Sequence, residues 1–582
     1  VAVQGRASTA TAVLFLCLLG IPLALAGDDW IEIRSPHFTV LSDAGEKRAR
    51  EVAGELEQIR LVFRAALPSA SLDPALPVKV FAVRNEDGLK ELLPQFWEGD
   101  GPRPGGAFFK VPDHYVIVLR TDSRGSTRFQ PIYHEYFHLL TSLNLHDVPI
   151  WLDEGLAEFW SQTIVRKNRV ELGKANESYL QTLRQTMLPL RDLVAATGNP
   201  HEADPRHVSV FYAESWALTH LLLMRGPNRS GREQLAAYLN GIQQGGDPLV
   251  AFASAFGQVE EVERELQRYV RRPLLSAMRM ETSASVEPGT FSLRELSDSE
   301  SLAVRGRLLA FGARPDTAVP LLEEALSLDP ESTVAKEGLG YYHFRRGELD
   351  AAKVWLDRAM EFGRASFLSF YFMAQIEKSA GDVRAPAVEE ALRRVLALEP
   401  DFAPALSELA SHLAARREKL EEALTLATRA TELEPESAWT WVNLGVVYLV
   451  VGHSDEARDA GLRAEAVATT PPEREAVEEL RNMLADFEET VARETVRGRF
   501  AELRCRQDGR LDFIVTKAPN EIYVLRVENV NLVELWRNGS PAQADLECGA
   551  QEGEVRATFV VLDRDGSNVL GDLKRLELEP GP

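Results

Sequence analysis

Two histidines four residues apart, the first followed by a glutamate, stand in Tyr133-His134-Glu135-Tyr136-Phe137-His138. On a helix, positions i and i+4 share a face, so His134 and His138 can offer two imidazole nitrogens to one metal ion. Glu135 lies on the same turn, where a carboxylate can take a proton from a water that the metal activates. Shortly afterwards comes Trp151-Leu152-Asp153-Glu154-Gly155-Leu156-Ala157-Glu158, in which Glu154 and Glu158 are again four apart. An acidic residue from this segment makes three protein ligands and leaves a fourth position open, the arrangement of a catalytic zinc site. Alone, H-E-x-x-H is equally compatible with a solvated helix face. Here Ile132, Tyr136, Phe137, Leu139 and Leu140 surround it and mark a buried helix. Unpaired ionisable groups are costly there, and a metal removes that cost.

HEYFH followed by WLDEGLAEFW resembles the gluzincin metallopeptidases, and among them the bacterial peptidase-MA-like domains. The resemblance covers roughly residues 30–280 and implies a thermolysin-like fold that hydrolyses peptide bonds with zinc. By position it implies His134, His138 and Glu154 as zinc ligands and Glu135 as general base. Glu158 takes the place of an acid that holds a ligand histidine from behind and fixes its tautomer. The gap between His138 and Glu154 is shorter than in the aminopeptidase-N-like branch, which weakens an aminopeptidase assignment. The metzincin alternative needs a glycine at 141 and a histidine at 144, where this chain has Thr141 and Asn144, so His146 reads as a loop histidine. The segment Phe211-Tyr212-Ala213-Glu214-Ser215-Trp216 is similar to a Y-x-x-S-W stretch of peptidase-MA-like domains and implies Tyr212 as the oxyanion donor. A core or capping tyrosine fits the same residue, and His201 and His207 are alternative donors.

The elements that must position these groups follow from hydrophobic pattern. Residues 27–125 read as an α/β part, with strands at His37–Leu41, Val78–Val83 and Tyr115–Leu119 and a long helix at Glu46–Ala66. Gluzincins place a small sheet before the metal helix, its edge strand along the cleft. Gly105–Leu119 can supply that edge, although periodicity does not say which strand lies outermost. Residues 126–285 read as mostly helical and carry every candidate catalytic residue.

From 297 to 492 the chain repeats. Segments ending in Pro330, Pro400 and Pro435 are variants of one motif, 70 and 35 residues apart. A period near 34 with small residues at fixed places is the tetratricopeptide signature, and about five repeats fit. Each helix pair must stack on its neighbours to bury its apolar face, which builds a curved solenoid. Its concave face suits a peptide or protein partner; a passive spacer is the alternative.

Residues 498–582 alternate like strands separated by Asp508-Gly509, Asn538-Gly539 and Asp565-Gly566 turns, which predicts a small antiparallel β domain, sandwich or barrel. Asp563, Asp565 and Asn568 lack the glycine and distal glutamate spacing of an EF-hand and read as turn residues.

Compartment and partners follow from the remaining features. Thr11–Ala26 carries an apolar run ending Leu23-Ala24-Leu25-Ala26, which reads as a signal peptide spanning 1–26. The run is short for a spanning helix, so the expectation is a cleaved, exported protein, periplasmic or extracellular, with no stable membrane span. Cys505 and Cys548, alone among the cysteines in being far from that segment, are expected to pair in an oxidising compartment. A net charge of −23 without a dense Lys/Arg cluster argues against nucleic acid. The sequence therefore predicts a multidomain α+β protein: an exported zinc metallopeptidase acting on a peptide or protein, with a repeat solenoid for substrate or partner. The alternative is a repeat scaffold whose metallopeptidase-like front is inactive or structural.

Overall fold

A computed structural model describes residues 29–579 apart from short stretches, those longer than three residues being 99–102, 124–127, 198–204, 226–230, 282–285, 380–385, 528–532 and 562–569. The expected signal segment, His146, His201 and the turn residues Asp563, Asp565 and Asn568 lie outside the described residues. The chain divides into two compact units that meet in sequence at Arg346 and Gly347.

The first unit opens with β1 (Ile31–Arg34), β2 (Phe38–Ser42), α1 (Glu46–Ala66), β3 (Val78–Val83), α2 (Glu86–Leu92), β4 (Gly106–Val111) and β5 (His114–Arg120). The helical part holds α3 (Gln130–Asn144), α4 (Ile150–Ser161), β6 (Ile164–Arg166), β7 (Arg169–Leu172), α5 (Glu177–Gln185), α6 (Leu190–Val194) and α7 (Pro205–Leu223). It continues through α8 (Gly231–Gln243), α9 (Pro248–Phe256), α10 (Val259–Tyr269) and β8 (Met278–Glu281). Then come β9 (Ser292–Glu295) and the repeat helices α11 (Asp298–Phe311), α12 (Ala318–Leu328) and α13 (Thr333–Arg345).

The main sheet has the order β4-β5-β3-β2-β1-β9, so β4 is an edge strand, as the sequence allowed. Pairings β2–β3 and β3–β5 are parallel, and β4–β5 is an antiparallel hairpin. Tyr115–Leu119 is apolar throughout because both faces are covered. Tyr115, Ile117 and Leu119 join the α1 and α3 core, whereas Val116 and Val118 join Trp30, Phe81 and Leu308 on the other face. Two features depart from the expected pattern. The helical region contains a three-stranded sheet, β6-β7-β8, whose strands are three or four residues long, too short to show alternation. The main sheet also takes β9, antiparallel to β1, from the short stretch between residues 285 and 297 that the sequence left unassigned.

The first repeat helix covers the second face of this sheet. Arg307 of α11 pairs with Asp113, in the β4–β5 turn, at 2.5 Å, and Leu308 packs with Trp30 and Phe81. The N-terminal α/β region thus shares a core with the start of the repeats.

The second unit continues with α14 (Leu349–Met360), α15 (Phe367–Ser379), α16 (Pro386–Leu398), α17 (Ala403–Arg416), α18 (Leu420–Leu433), α19 (Ala438–Val451), α20 (Ser454–Val467) and α21 (Pro471–Thr490). Small buried residues such as Ala410, Ala427, Ala457 and Ala464 let the paired helices approach closely. Strands β10 (Arg493–Cys505), β11 (Leu511–Ala518), β12 (Glu521–Val527), β13 (Glu534–Arg537), β14 (Ser540–Pro541), β15 (Gly549–Ala550), β16 (Glu554–Val561) and β17 (Gly571–Leu578) follow. They form a small barrel: β12-β11-β10-β16-β17 is antiparallel, and β12 closes on β17. That closure and the β13–β17 pairing are parallel, which corrects the purely antiparallel expectation. Cys505 and Cys548 are bonded, as expected.

Candidate metal centre

Helices α3 and α4 pack with their ionisable stripes facing each other. His134 Nε2 and His138 Nε2 stand 3.1 Å apart, and Glu154 Oε2 lies 3.4 Å from the first and 3.6 Å from the second. Ligands about 2.0–2.1 Å from a tetrahedral zinc stand roughly 3.3 Å from one another, so the triangle has the size such an ion requires. Among the described residues these three side chains form the group able to hold a metal. Glu154 Oε2 is buried and has no hydrogen-bond partner, an orphan acceptor aimed at the two imidazoles. By this test the residues fit zinc.

Behind the triangle each imidazole has a carboxylate. Glu158 reaches His134 Nδ1 at 3.4 Å, the place that the sequence reading gave it. Asp153 accepts from His138 Nδ1 at 3.0 Å, a role that reading missed. The only available signal was that Asp153 precedes Glu154 on a helix facing α3; the crossing of the two helices decides which imidazole it meets. Both contacts fix ring orientation and leave Nε2 toward the centre.

The electrostatics follow from burial among acids. Burial pushes His138 down, but Asp153 and Glu154 outweigh it and raise the imidazole to about 10. His134 is likewise raised well above its ordinary value: burial opposes, and Glu154 and Glu158 prevail. Burial pushes Glu154 up, while the two imidazoles pull it well below the usual carboxylate range. Glu135 is raised, first by burial, with the neighbouring acids adding and the imidazoles opposing. Such a proton-loaded pair of imidazoles among carboxylates is a place where a divalent cation can displace protons.

Two glycines make the assembly possible. A Cβ at Gly106 would meet the Val118 carbonyl at 2.7 Å and Glu135 Cγ at 3.1 Å, so the edge strand can lie against Glu135 only without one. A Cβ at Gly155 would run into Thr219 Oγ1 and the Ser215 carbonyl of α7. The glycine after Glu154 therefore lets α7 approach α4, and that approach brings Tyr212 Oη to 3.5 Å from Glu154 Oε1. Tyr212 is kept protonated by burial and by the Glu154, Glu135 and Glu158 charges, so it is a hydrogen-bond donor. His207, the alternative donor, is exposed and does not line the cavity. Tyr179, which the sequence reading did not single out, lines the same cavity and is raised well above its ordinary range by burial and then by Glu158.

The cavity over these groups measures about 690 Å³ and is bounded on one side by Gly105–Phe108 of β4. The Arg120 N–H donates to the Gly105 carbonyl, so Gly105, Ala107 and Phe109 direct their backbone groups toward β5. Gly106 and Phe108 direct theirs away from β5, along the edge of the sheet.

Residues 309–376 and 409–471 match tetratricopeptide repeat family models. No curated protein matches the chain. Among solved structures, YrrB, described as a tetratricopeptide repeat protein with an unusual peptide-binding site, is 20% identical over 32% of this chain and 92% of its own, with a TM-score of 0.27. MamA is 18% identical over 32% of this chain and 98% of its own, with a TM-score of 0.24. The assembly chaperone of RpL4 is 20% identical over 33% of this chain and 87% of its own, with a TM-score of 0.27. The family models identify residues 309–376 and 409–471 as tetratricopeptide repeats.

Proposed function

We propose that this protein is a zinc-dependent peptidase. The observation that carries the reading is the triangle of His134 Nε2, His138 Nε2 and Glu154 Oε2, with Glu135 beside it under an open strand edge. Zinc held by those three side chains supplies a Lewis acid that lowers the pKa of water and polarises a carbonyl. A substrate peptide adds to β4 through the outward backbone groups of Gly106 and Phe108, which fixes its register over the cavity. Glu135 takes the proton of the attacking water on its carboxylate and passes it to the leaving amine. Tyr212 Oη donates to the developing oxyanion. Asp153 and Glu158 hold the imidazoles in place.

The repeats, as peptide- or protein-binding architecture, suggest a partner or a means of delivering substrate. Export to the periplasm or outside the cell fits the leader-like sequence and the Cys505–Cys548 bond. Among the described residues no helix is long and apolar enough to cross a membrane. The scaffold reading gives the α3–α4 arrangement at most a structural role and leaves Glu135 and Tyr212 without one.

Hydrolysis of a peptide library by the zinc-loaded chain, beside Glu135→Gln, tests the reading. Removal of a general base costs on the order of 10²–10⁴ in rate. The expected result is cleavage by the wild type, a loss of that size in the variant and equal zinc in both. Equal cleavage by both proteins would refute the role of Glu135.

A further inference from the structure

The ionisable stripes of α3 and α4 do not end at the metal ligands. Gln130 stands four residues before His134, and Gln162 four residues after Glu158. Each therefore continues its stripe by one turn, about 5.4 Å along the axis. The two amides meet as the next rung: Gln130 Nε2 donates to Gln162 Oε1 at 2.8 Å. Both side chains line the cavity of the metal centre.

The proton directions on this rung are set from behind. The Ser161 hydroxyl donates to the Glu158 carbonyl at 2.8 Å, so its oxygen accepts from Gln162 Nε2 at 3.0 Å. That contact turns Gln162 Oε1 toward Gln130 and makes Gln130 the donor between them. Gln162 is 8% exposed and Ser161 2%, so this support is buried, while Gln130 is half-buried at the cavity wall. Gln130 keeps a carbonyl oxygen and one amide hydrogen with no further partner among the described residues. One neutral group thus offers an acceptor and a donor together.

We infer that Gln130, oriented by Gln162 and Ser161, is a specificity-determining residue that reads a carboxamide side chain, asparagine or glutamine, flanking the scissile bond. The inference rests on the peptidase reading and adds the substrate class to it. An extended peptide advances about 3.3 Å per residue, so a side chain next to a carbonyl at the metal ligands reaches a group one helical turn away. A carboxamide answers the free acceptor and donor at once. A carboxylate lacks the donor and meets the acids of the centre. An aliphatic chain leaves a partly buried amide unpaired, which is the basis for strong rejection.

The test uses the full zinc-loaded chain and matched peptides that differ at one position beside the cleaved bond, carrying Asn, Leu, Asp, Lys or Ala. Hydrolysis is measured with the wild type. Binding is measured by calorimetry with Glu135→Gln, which separates recognition from turnover. The expected result is at least a tenfold preference for the Asn peptide over the Leu peptide in kcat/KM and in Kd. In Gln130→Met, and in Gln130→Met with Gln162→Met, that preference collapses to under about threefold, with zinc content unchanged. A wild type that prefers Leu, Asp or Lys overturns the inference and leaves the peptidase reading standing, as does a preference that survives both variants. Zinc-loaded protein that neither binds nor cleaves any of the peptides removes both.

Discussion

Two clusters of buried charge lie in the first unit, one between α3 and α4 and one where the β4–β5 turn meets α11 and α13. They are built differently. In the second, Arg307 pairs with Asp113 at 2.5 Å and approaches Glu337 at 3.8 Å, and Lys79 stands near enough to feel all three. His114 is lowered to about 4 by burial, against the pull of Asp113, and is neutral near pH 7. Burial lowers Lys79 to about 8, with Arg307 adding and Asp113, Glu337 and Glu32 opposing, so its charge is largely retained. Two cations thus face the carboxylates of Asp113 and Glu337. Between α3 and α4, Glu135, Asp153, Glu154 and Glu158 face only two imidazoles. A cluster that closes its own charge is architecture, joining sheet to repeat. One that gathers acids around two imidazoles and orphans a carboxylate oxygen is suited to a cation from outside.

A third case sharpens the contrast. Glu214 of α7 is fully buried, accepts from the Leu188 N–H at 2.7 Å and, among the described residues, has neither cation nor imidazole beside it. Burial raises it to about 8, the Leu188 hydrogen bond opposing and Glu263 adding. It meets its surroundings by keeping a proton.

The contrast can be broken by substitution. Asp113→Ala strands Arg307 in the core, and removal of one partner of a buried pair costs about 3–5 kcal/mol. Denaturant unfolding is expected to show a loss of that size; a loss under about 1 kcal/mol would place this pair with surface ion pairs. Next in size is Glu154→Gln. Zinc at a hundredfold over its Kd stabilises a protein by about 2.7 kcal/mol. The wild type is expected to gain a zinc-dependent rise in Tm that the variant loses, each measured against its own metal-free protein. An equal rise in both would remove Glu154 from the ligand set. At pH 5 the smallest effect belongs to Glu214→Gln, and it grows with pH. With a folded pKa raised to about 8, the unfolded chain loses the Glu214 proton first, so wild-type stability falls as pH climbs from about 4.5 toward 8. The amide does not ionise, so the variant gains about a few degrees in Tm on the wild type between pH 5 and pH 8. A gap that does not widen with pH would mean that Glu214 is ionised in the folded protein.

What the sequence made legible is what depends on helical period. The stripes of His134 and His138, and of Glu154 and Glu158, come from spacing alone, as do α1, β3 and the repeat register. Partner choice between elements did not. Asp153 finds His138, and Gln130 finds Gln162, only because α3 and α4 cross as they do. The motif glycine after Glu154 acquired its reason only when α7 was seen against it. Arg307 and Asp113 lie 194 residues apart, and no periodicity links them. The edge position of β4 was open because strand order is a tertiary property. Strands β6 to β9 escaped notice because three or four residues carry too little alternation to stand out from a loop or linker.

The central claim is that the unbalanced cluster is a zinc site, and metal content tests it most directly. Elemental mass spectrometry of the purified protein after zinc supplementation, beside His138→Ala, is expected to find about one zinc per chain in the wild type and a large loss in the variant. No zinc in the wild type, or the same content in both proteins, would contradict the account.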